Sequence, residues 1–197
     1  EQAGGTVVHR LGHQCIRRTH ETVRLFAKLA VLDNVLVGHH YGRPGPGHGT
    51  PLEHAMGILE FIGLADRTNQ LSSQLTLVDR KRLEVARALA TGPRVLLLDE
   101  VVAGLNPVEA QRLVDLIRKI RERGTSIIMI EHVMHAVMGV SDRIMVLDHG
   151  RQIAEGTPQE VVQDPQVIEA YLGRDDDEPV GADAPGSGPS AGEKPDA

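Results

Sequence analysis

The sequence has little cysteine, few aromatic side chains and no long apolar run. Cys15 is its one cysteine, aromatic residues make up 2% of the 197 residues, and tryptophan is absent. A single cysteine excludes an internal disulfide and favours a reducing compartment. No apolar run reaches the roughly 18 residues of a membrane-spanning helix, and no signal-peptide pattern occurs. We therefore expect neither a transmembrane segment nor secretion.

Positive charge is also scarce. The formal net charge is −6, and residues 174–197 hold seven acidic side chains against two basic ones, so the remainder is close to neutral. This balance argues against a strongly basic, nucleic-acid-binding protein. The basic run Arg80-Lys81-Arg82 has no interleaved aromatic residues, so we interpret it as a solvated helix face. Residues 174–197 have almost nothing to bury and are predicted to be a disordered acidic tail.

Apolar residues make up 41% of the chain, enough for a sizeable core. Two short apolar runs, at residues 95–98 and 126–130, do not alternate with polar residues. Such runs are typical of strands buried on both faces, as in a parallel sheet. A helix is predicted between them, and another near residues 134–138. A strand at residues 144–147 and a hairpin turn come next along the chain, so the main body is predicted to be α/β.

Three helix starts share one pattern. A capping side chain is followed by proline at the first helical position and glutamate at the third. The three capping residues are Thr50, Asn106 and Thr157.

Two carboxylates directly follow the first predicted strand, Asp99 and Glu100. The carboxyl end of such a strand is where α/β proteins bind ligands. Asp99 would suit Mg²⁺, and Glu100 would suit the activation of a water molecule. The alternative is that two acidic residues simply end a strand and cap the next segment.

The surrounding residues resemble the ATP-binding-cassette (ABC) ATPases, which drive ABC transporters. Residues 95–100 are similar to the Walker B strand with its catalytic glutamate. Residues 103–106 resemble the D-loop of the dimer interface, and His132 resembles the switch histidine. Order and spacing all agree with the family.

Further segments resemble the ATPases of branched-chain amino acid transporters, namely residues 24–26, 32–38 and 150–173. The resemblance implies a partial ABC-ATPase nucleotide-binding domain over residues 1–173. It would comprise a helical subdomain at about 33–91, an α/β core at about 92–149 and a family C-terminal segment at 150–173.

Three motifs depart from the family pattern. No lysine follows a glycine, so no Walker A phosphate-binding loop exists in the sequence. We expect an amino-terminally incomplete chain that alone binds ATP weakly or not at all. Glu21 stands where the Q-loop has glutamine. Residues 75–79 occupy the signature position, with Leu77 and Val78 in place of glycines that let backbone approach phosphate. The more similar letters at residues 71–74 lie four residues too early.

The resemblance implies a role for each motif residue. Asp99 would hold Mg²⁺ with Glu21 as a second oxygen ligand, Glu100 would be the general base, and His132 would contact the γ-phosphate. Signature and D-loop residues would face the ATP of a partner subunit, namely Thr76, Asp79, Gly104 and Asn106. ATP and Mg²⁺ are the implied cofactors.

The implied partners are a second ATP-binding subunit, identical or paralogous, and transmembrane permease subunits, with no nucleic acid. This would place the chain at the cytoplasmic face of the plasma membrane. The leading hypothesis is a truncated ATPase subunit of an importer for branched-chain amino acids or related solutes. A non-catalytic or regulatory module that keeps the docking surfaces is the second hypothesis, and a cassette for another process, such as lipid export, is the third.

Overall fold

The computed structural model describes residues 16–19, 24–42 and 49–172, without the side chains of Ile16 and Leu172. Glu21 and the predicted tail at 174–197 lie outside the described residues. The chain divides into two compact units, residues 1–142 and residues 143–197.

The first unit contains a parallel sheet of three strands in the order β1-β2-β3. Arg18 of β1 pairs with Leu97 of β2, and Asp99 of β2 pairs with Ile130 of β3. The strands are β1 (Ile16–Arg18), β2 (Val95–Asp99) and β3 (Ser126–Ile130). The predicted strands at 95–98 and 126–130 and their parallel pairing are confirmed. The short strand β1 was not predicted.

Helices of the first unit surround a core of aliphatic side chains. Residue Gly38 lets two of them approach closely, because a Cβ there would lie 2.2 Å from the carbonyl oxygen of Arg87. The helices are α1 (Val31–His40), α2 (Pro51–Ile62), α3 (Leu77–Leu89), α4 (Pro107–Glu122) and α5 (Met134–Val140). Short 3₁₀ turns lie at Ala65–Arg67 and Ser72–Gln74.

The predicted capping boxes are present at the starts of α2 and α4. The Thr50 and Asn106 side chains each accept a hydrogen bond from the backbone N–H of the third helical residue, Glu53 or Glu109. The side chain of that glutamate accepts a hydrogen bond from the backbone N–H of the capping residue. These reciprocal bonds satisfy two of the unpaired donors at each helix start. The α4 crossover then carries the chain from β2 to β3.

Two expectations about burial are wrong. Strand β3 is not buried on both faces, because its alternate residues Ile128 and Ile130, which share one face, are 58% and 61% exposed. The run Arg80-Lys81-Arg82 is not a solvated face either. Lys81 is 5% exposed, because α3 packs that side against the first unit's core.

The second unit is a hairpin with two short helices. Strands β4 (Ile144–Asp148) and β5 (Arg151–Gly156) pair antiparallel, so the predicted hairpin is confirmed. Its turn uses left-handed backbone at His149 and Gly150. The third predicted capping box, at Thr157, begins α6 (Pro158–Val162), and α7 (Pro165–Leu172) comes after it. In the described ranges, no helix is both long and apolar enough to cross a membrane.

Candidate functional site

Three predicted site residues meet at the carboxyl edge of the sheet. Asp99 ends β2, Glu100 follows it, and His132 lies two residues after the end of β3. The Nδ1 atom of His132 is 3.5 Å from Oε1 of Glu100. Both side chains remain accessible, with 67% of His132 and 31% of Glu100 exposed. An acceptor and an imidazole are thus presented together at the edge where parallel sheets bind ligands.

Asp99 is paired with an arginine from the neighbouring strand. Its Oδ2 accepts a hydrogen bond from the Arg18 guanidinium, and its backbone N–H donates to the Thr19 hydroxyl. The Asp99 side chain is 18% exposed and can be reached from solvent. These contacts fix the carboxylate in place at the end of β2.

The sheet edge offers few but suitable ligands for Mg²⁺. The described residues contain no group of three or more His, Cys, Asp or Glu side chains placed to hold a metal. Mg²⁺, however, is usually held by one or two carboxylates, with water and phosphate oxygens completing its shell. The Asp99 carboxylate, at the carboxyl end of β2 and within reach of solvent, is a ligand of the kind that such a partly hydrated ion takes.

The backbone of Glu100 is left-handed, with φ 46°. For a residue with a side chain, such a conformation costs about 1–3 kcal/mol and persists only where the surroundings hold it. Here the Glu100 N–H donates to the Ile130 carbonyl at 2.9 Å, and its carbonyl accepts from Ala103 N–H at 3.2 Å. The same carbonyl accepts from Nζ of Lys81 on α3, at 3.0 Å.

A second carboxylate supports the turn from the β3 side. Oε1 of Glu131 accepts from the Val102 N–H at 2.9 Å. Burial raises the pKa of the Glu131 carboxyl above its ordinary value, while the Val102 hydrogen bond opposes that shift. Sequence reasoning assigned no role to Glu131 or Lys81. One signal for Lys81 was available, because residues 81, 85 and 88 follow helical spacing on the buried face of α3.

The predicted signature residues form the start of α3. Thr76 is the N-cap, and its Oγ1 accepts from Asp79 N–H and donates to Asp79 Oδ2 at 2.8 Å. Arg67 donates to the same Oδ2 at 2.8 Å. Thr76 and Asp79 therefore bond each other, Asp79 also bonds Arg67, and no hydrogen bond of either residue reaches Asp99, Glu100 or His132 in the part of the chain that the structure describes. The exposed Leu77 begins the helix where the family pattern has glycine.

The predicted D-loop lies beside that helix start. Gly104 has φ 74°, and a Cβ added there would meet Cδ2 of Leu77 at 3.3 Å. Asn106 is exposed and caps α4 through its bond from Glu109 N–H. The structure thus brings Gly104 next to the signature position. Glu21 lies outside the described residues.

Known proteins are similar to this chain both in sequence and in fold. The LivG protein of Salmonella typhimurium, named a high-affinity branched-chain amino acid transport ATP-binding protein, is 42% identical over 183 residues, 86% of this chain and 71% of LivG. The corresponding BraF protein of Pseudomonas aeruginosa is 36% identical over 187 residues, 88% of this chain and 73% of BraF. A family described as branched-chain amino acid ATP-binding cassette transporter matches residues 151–177.

A solved structure supports the same assignment. The ADP conformation of MJ1267, an ATP-binding cassette of an ABC transporter, superposes with a TM-score of 0.72 at 30% identity, covering 83% of this chain and 70% of that one. These matches confirm the resemblance and the α/β ABC-ATPase fold that it implied. The chain belongs to the ABC-type ATPases, in the family of ATP-binding proteins of branched-chain amino acid transporters.

Proposed function

We propose that this chain is the ATP-binding subunit of an ABC importer for branched-chain amino acids or related small solutes. The observation that carries the proposal is the 3.5 Å approach of His132 to Glu100 at the carboxyl ends of β2 and β3. The names of LivG and BraF supply the transport process and the solute class. In this proposal the helical subdomain spans about 33–91, the α/β core about 92–149 and the C-terminal segment 150–173.

The hydrolytic roles belong to the exposed sheet edge. Bound ATP and Mg²⁺ would supply a cleavable γ-phosphoryl group and the positive charge that balances it. Asp99 would hold the ion, with Glu21 as a further oxygen donor. Glu100 would accept a proton from the attacking water at its carboxylate. His132, beside that carboxylate, would donate a hydrogen bond to the γ-phosphate.

The partner-facing roles belong to the signature position and the D-loop. The exposed start of α3 presents the positive end of a helix, which favours an anion. Thr76, Asp79, Gly104 and Asn106 would face the ATP held by a second ATP-binding subunit, identical or paralogous. Transmembrane permease subunits would hold the pair at the cytoplasmic face of the membrane.

One observation favours a second candidate function, a regulatory module without turnover. The side chains of Leu77 and Val78 stand where glycines would let backbone approach phosphate, and Cδ2 of Leu77 lies 3.3 Å from where a Cβ on Gly104 of the D-loop would be. A module of this kind would keep the docking surfaces and bind no nucleotide.

Substitution of the proposed base tests the two candidates. The native protein, reconstituted with its transporter partners in liposomes, is compared with Glu100→Gln and with Glu122→Gln, an exposed residue at the end of α4. We expect Glu100→Gln to keep ATP binding and lose about 10²- to 10⁴-fold in hydrolysis, because only the base is removed. Glu122→Gln should behave as the parent does. Equal hydrolysis by Glu100→Gln would remove Glu100 from this role, and no ATP binding by the parent would favour the regulatory module.

A further inference from the structure

The turn after β2 is held from two sides by charged side chains. One side is the backbone of Glu100, whose left-handed conformation depends on the groups that bond its N–H and its carbonyl. The other side is the N–H of Val102, which is 2% exposed and therefore needs a protein acceptor. The direction of the Glu100 side chain depends on how well both are fixed.

Lys81 supplies the bond on the Glu100 side. Its Nζ donates to the Glu100 carbonyl at 3.0 Å, and the residue is 5% exposed. A buried ammonium is costly unless it is paired, so its presence here is informative. A charged ammonium donor makes a stronger hydrogen bond to a carbonyl oxygen than a neutral donor does. Lys81 thereby ties α3, the helix of the signature position, to the residue that bears the proposed base.

Glu131 supplies the bond on the Val102 side. Oε1 accepts from the Val102 N–H at 2.9 Å, whereas Oε2 is buried and has no hydrogen-bond partner in the part of the chain that the structure describes. Burial raises the pKa of the half-buried Glu131 carboxyl, and the Val102 hydrogen bond and, to a smaller extent, the charge of Lys81 oppose that shift. The two side chains thus bond neighbouring residues of one turn, Glu100 and Val102.

We propose that Lys81 and Glu131 are positioning residues that together hold the Glu100–Val102 turn, and so aim the Glu100 carboxylate at the ligand edge. The catalytic consequence rests on the proposed function. The structural part of the proposal, that Lys81 fixes this turn, does not depend on the proposed function. A movement of α3 would reach the base through the Lys81 hydrogen bond, because the signature position and Lys81 lie on the same helix.

The test compares Lys81→Met with Lys119→Met, a matched change at an exposed lysine of α4. Hydrogen exchange is followed by mass spectrometry in the native full-length protein. We expect the Val102 and Ala103 amides to exchange at least about tenfold faster in Lys81→Met, since a hydrogen bond to a charged group is lost. Exchange in the α4 helix should stay as in the parent. Unchanged exchange at both amides would overturn the proposal.

Hydrolysis in the reconstituted transporter supplies a second readout. A misplaced base should lower kcat by about 10- to 100-fold and leave the KM for ATP unchanged. Lys81→Arg keeps a charged donor and should therefore retain much of the parental kcat. Glu131→Gln keeps an acceptor oxygen and should have a higher kcat than Glu131→Met. If Lys81→Met lowers kcat only in proportion to the fraction of protein that fails to fold, then Lys81 has a merely structural role. That result would overturn the proposal.

A double variant keeps the test usable where a single substitution prevents folding. Lys81→Met with Glu131→Met removes both buried charges, and such replacement by apolar side chains is often neutral for stability. The folded double variant should show the fast exchange and the low kcat together. Parental values for both would overturn the proposal. A parent that does not hydrolyse ATP would instead defeat the proposed function, and the exchange data would still decide whether Lys81 holds the turn.

Discussion

Two regions of the first unit differ in how their polar groups are used. At the end of β2 and β3, Glu100 and His132 keep polar atoms exposed to solvent, and the strained backbone beneath them is bonded from both sides. At the start of α3, the Asp79 carboxylate accepts from both the Thr76 hydroxyl and the Arg67 guanidinium. The sheet edge is therefore arranged toward a ligand, whereas the helix start is largely satisfied by its own side chains.

An ABC ATPase subunit hydrolyses its own nucleotide and also offers a surface to the nucleotide of its partner, and these two regions separate the two tasks. A subunit can keep the groups for hydrolysing its own nucleotide while the surface offered to a partner's nucleotide changes. In the proposed function, the side chains of Leu77 and Val78 change the second surface. Substitutions at each region should therefore give different kinds of effect.

The largest expected loss of stability comes from Asp79→Ala. The buried carboxylate accepts from the Thr76 hydroxyl and from the Arg67 guanidinium, so its removal should lower the free energy of unfolding by about 2 kcal/mol. Urea denaturation would show a lower midpoint with an unchanged m-value. Asp79→Asn keeps an acceptor oxygen and should lose less. A midpoint equal to that of the parent would mean that these bonds do not stabilise the helix start.

A smaller cost in stability, with a gain in function, is expected from Leu77→Gly combined with Val78→Gly. Glycine in a helix costs about 1 kcal/mol per residue relative to alanine, and less at its first turn. The double variant would nevertheless open the backbone at the start of α3 and remove the contact with Gly104. ATP hydrolysis by the reconstituted transporter should rise. The Leu77→Ala, Val78→Ala pair, which only removes bulk, is the control, and an equal rate in both pairs would contradict this interpretation of the signature position.

The smallest expected effect is a pH dependence at Glu131. Because burial raises its pKa in the folded state, the folded protein binds this proton more tightly than the unfolded chain does. The stability contributed by this group is thus present below its unfolded pKa, and is lost as pH rises through the higher folded value. Glu131→Gln removes that dependence, so in urea titrations the variant should gain stability relative to the parent as the pH rises above about 4.5, the ordinary pKa of a glutamate. A constant difference across that range would show that the pKa is not raised.

Much of the fold could be predicted because its signals are local. The capping boxes at Thr50, Asn106 and Thr157 satisfy their own donors, so three residues suffice to mark each helix start. The hairpin turn at residues 148–151 depends on backbone freedom in the turn itself. Asp99 and Glu100 could be singled out because they directly follow a short apolar run, whereas His132 was identified through the resemblance to the family.

The missed features depend on neighbours that are distant in sequence. The exposed face of β3 depends on which elements pack over it, which the apolar letters at Ile128 and Ile130 do not encode. Lys81 cannot be told from Arg80 and Arg82 by sequence, and only the packing of α3 buries it more deeply than either arginine. Glu131 gains its role from Val102, which lies on another loop. Local patterns thus predict elements, whereas tertiary contacts decide which side chains support them.

The left-handed backbone at Glu100 also sets the direction in which this position evolves. Glycine adopts that conformation freely and asparagine tolerates it, so either replacement would relieve backbone strain while discarding the carboxylate. A lineage released from selection for hydrolysis would gain stability by making such a change. Under the proposed function, glutamate at φ 46° gives up backbone stability for the carboxylate of a general base, so relatives that no longer hydrolyse ATP are expected to carry glycine or asparagine at this position.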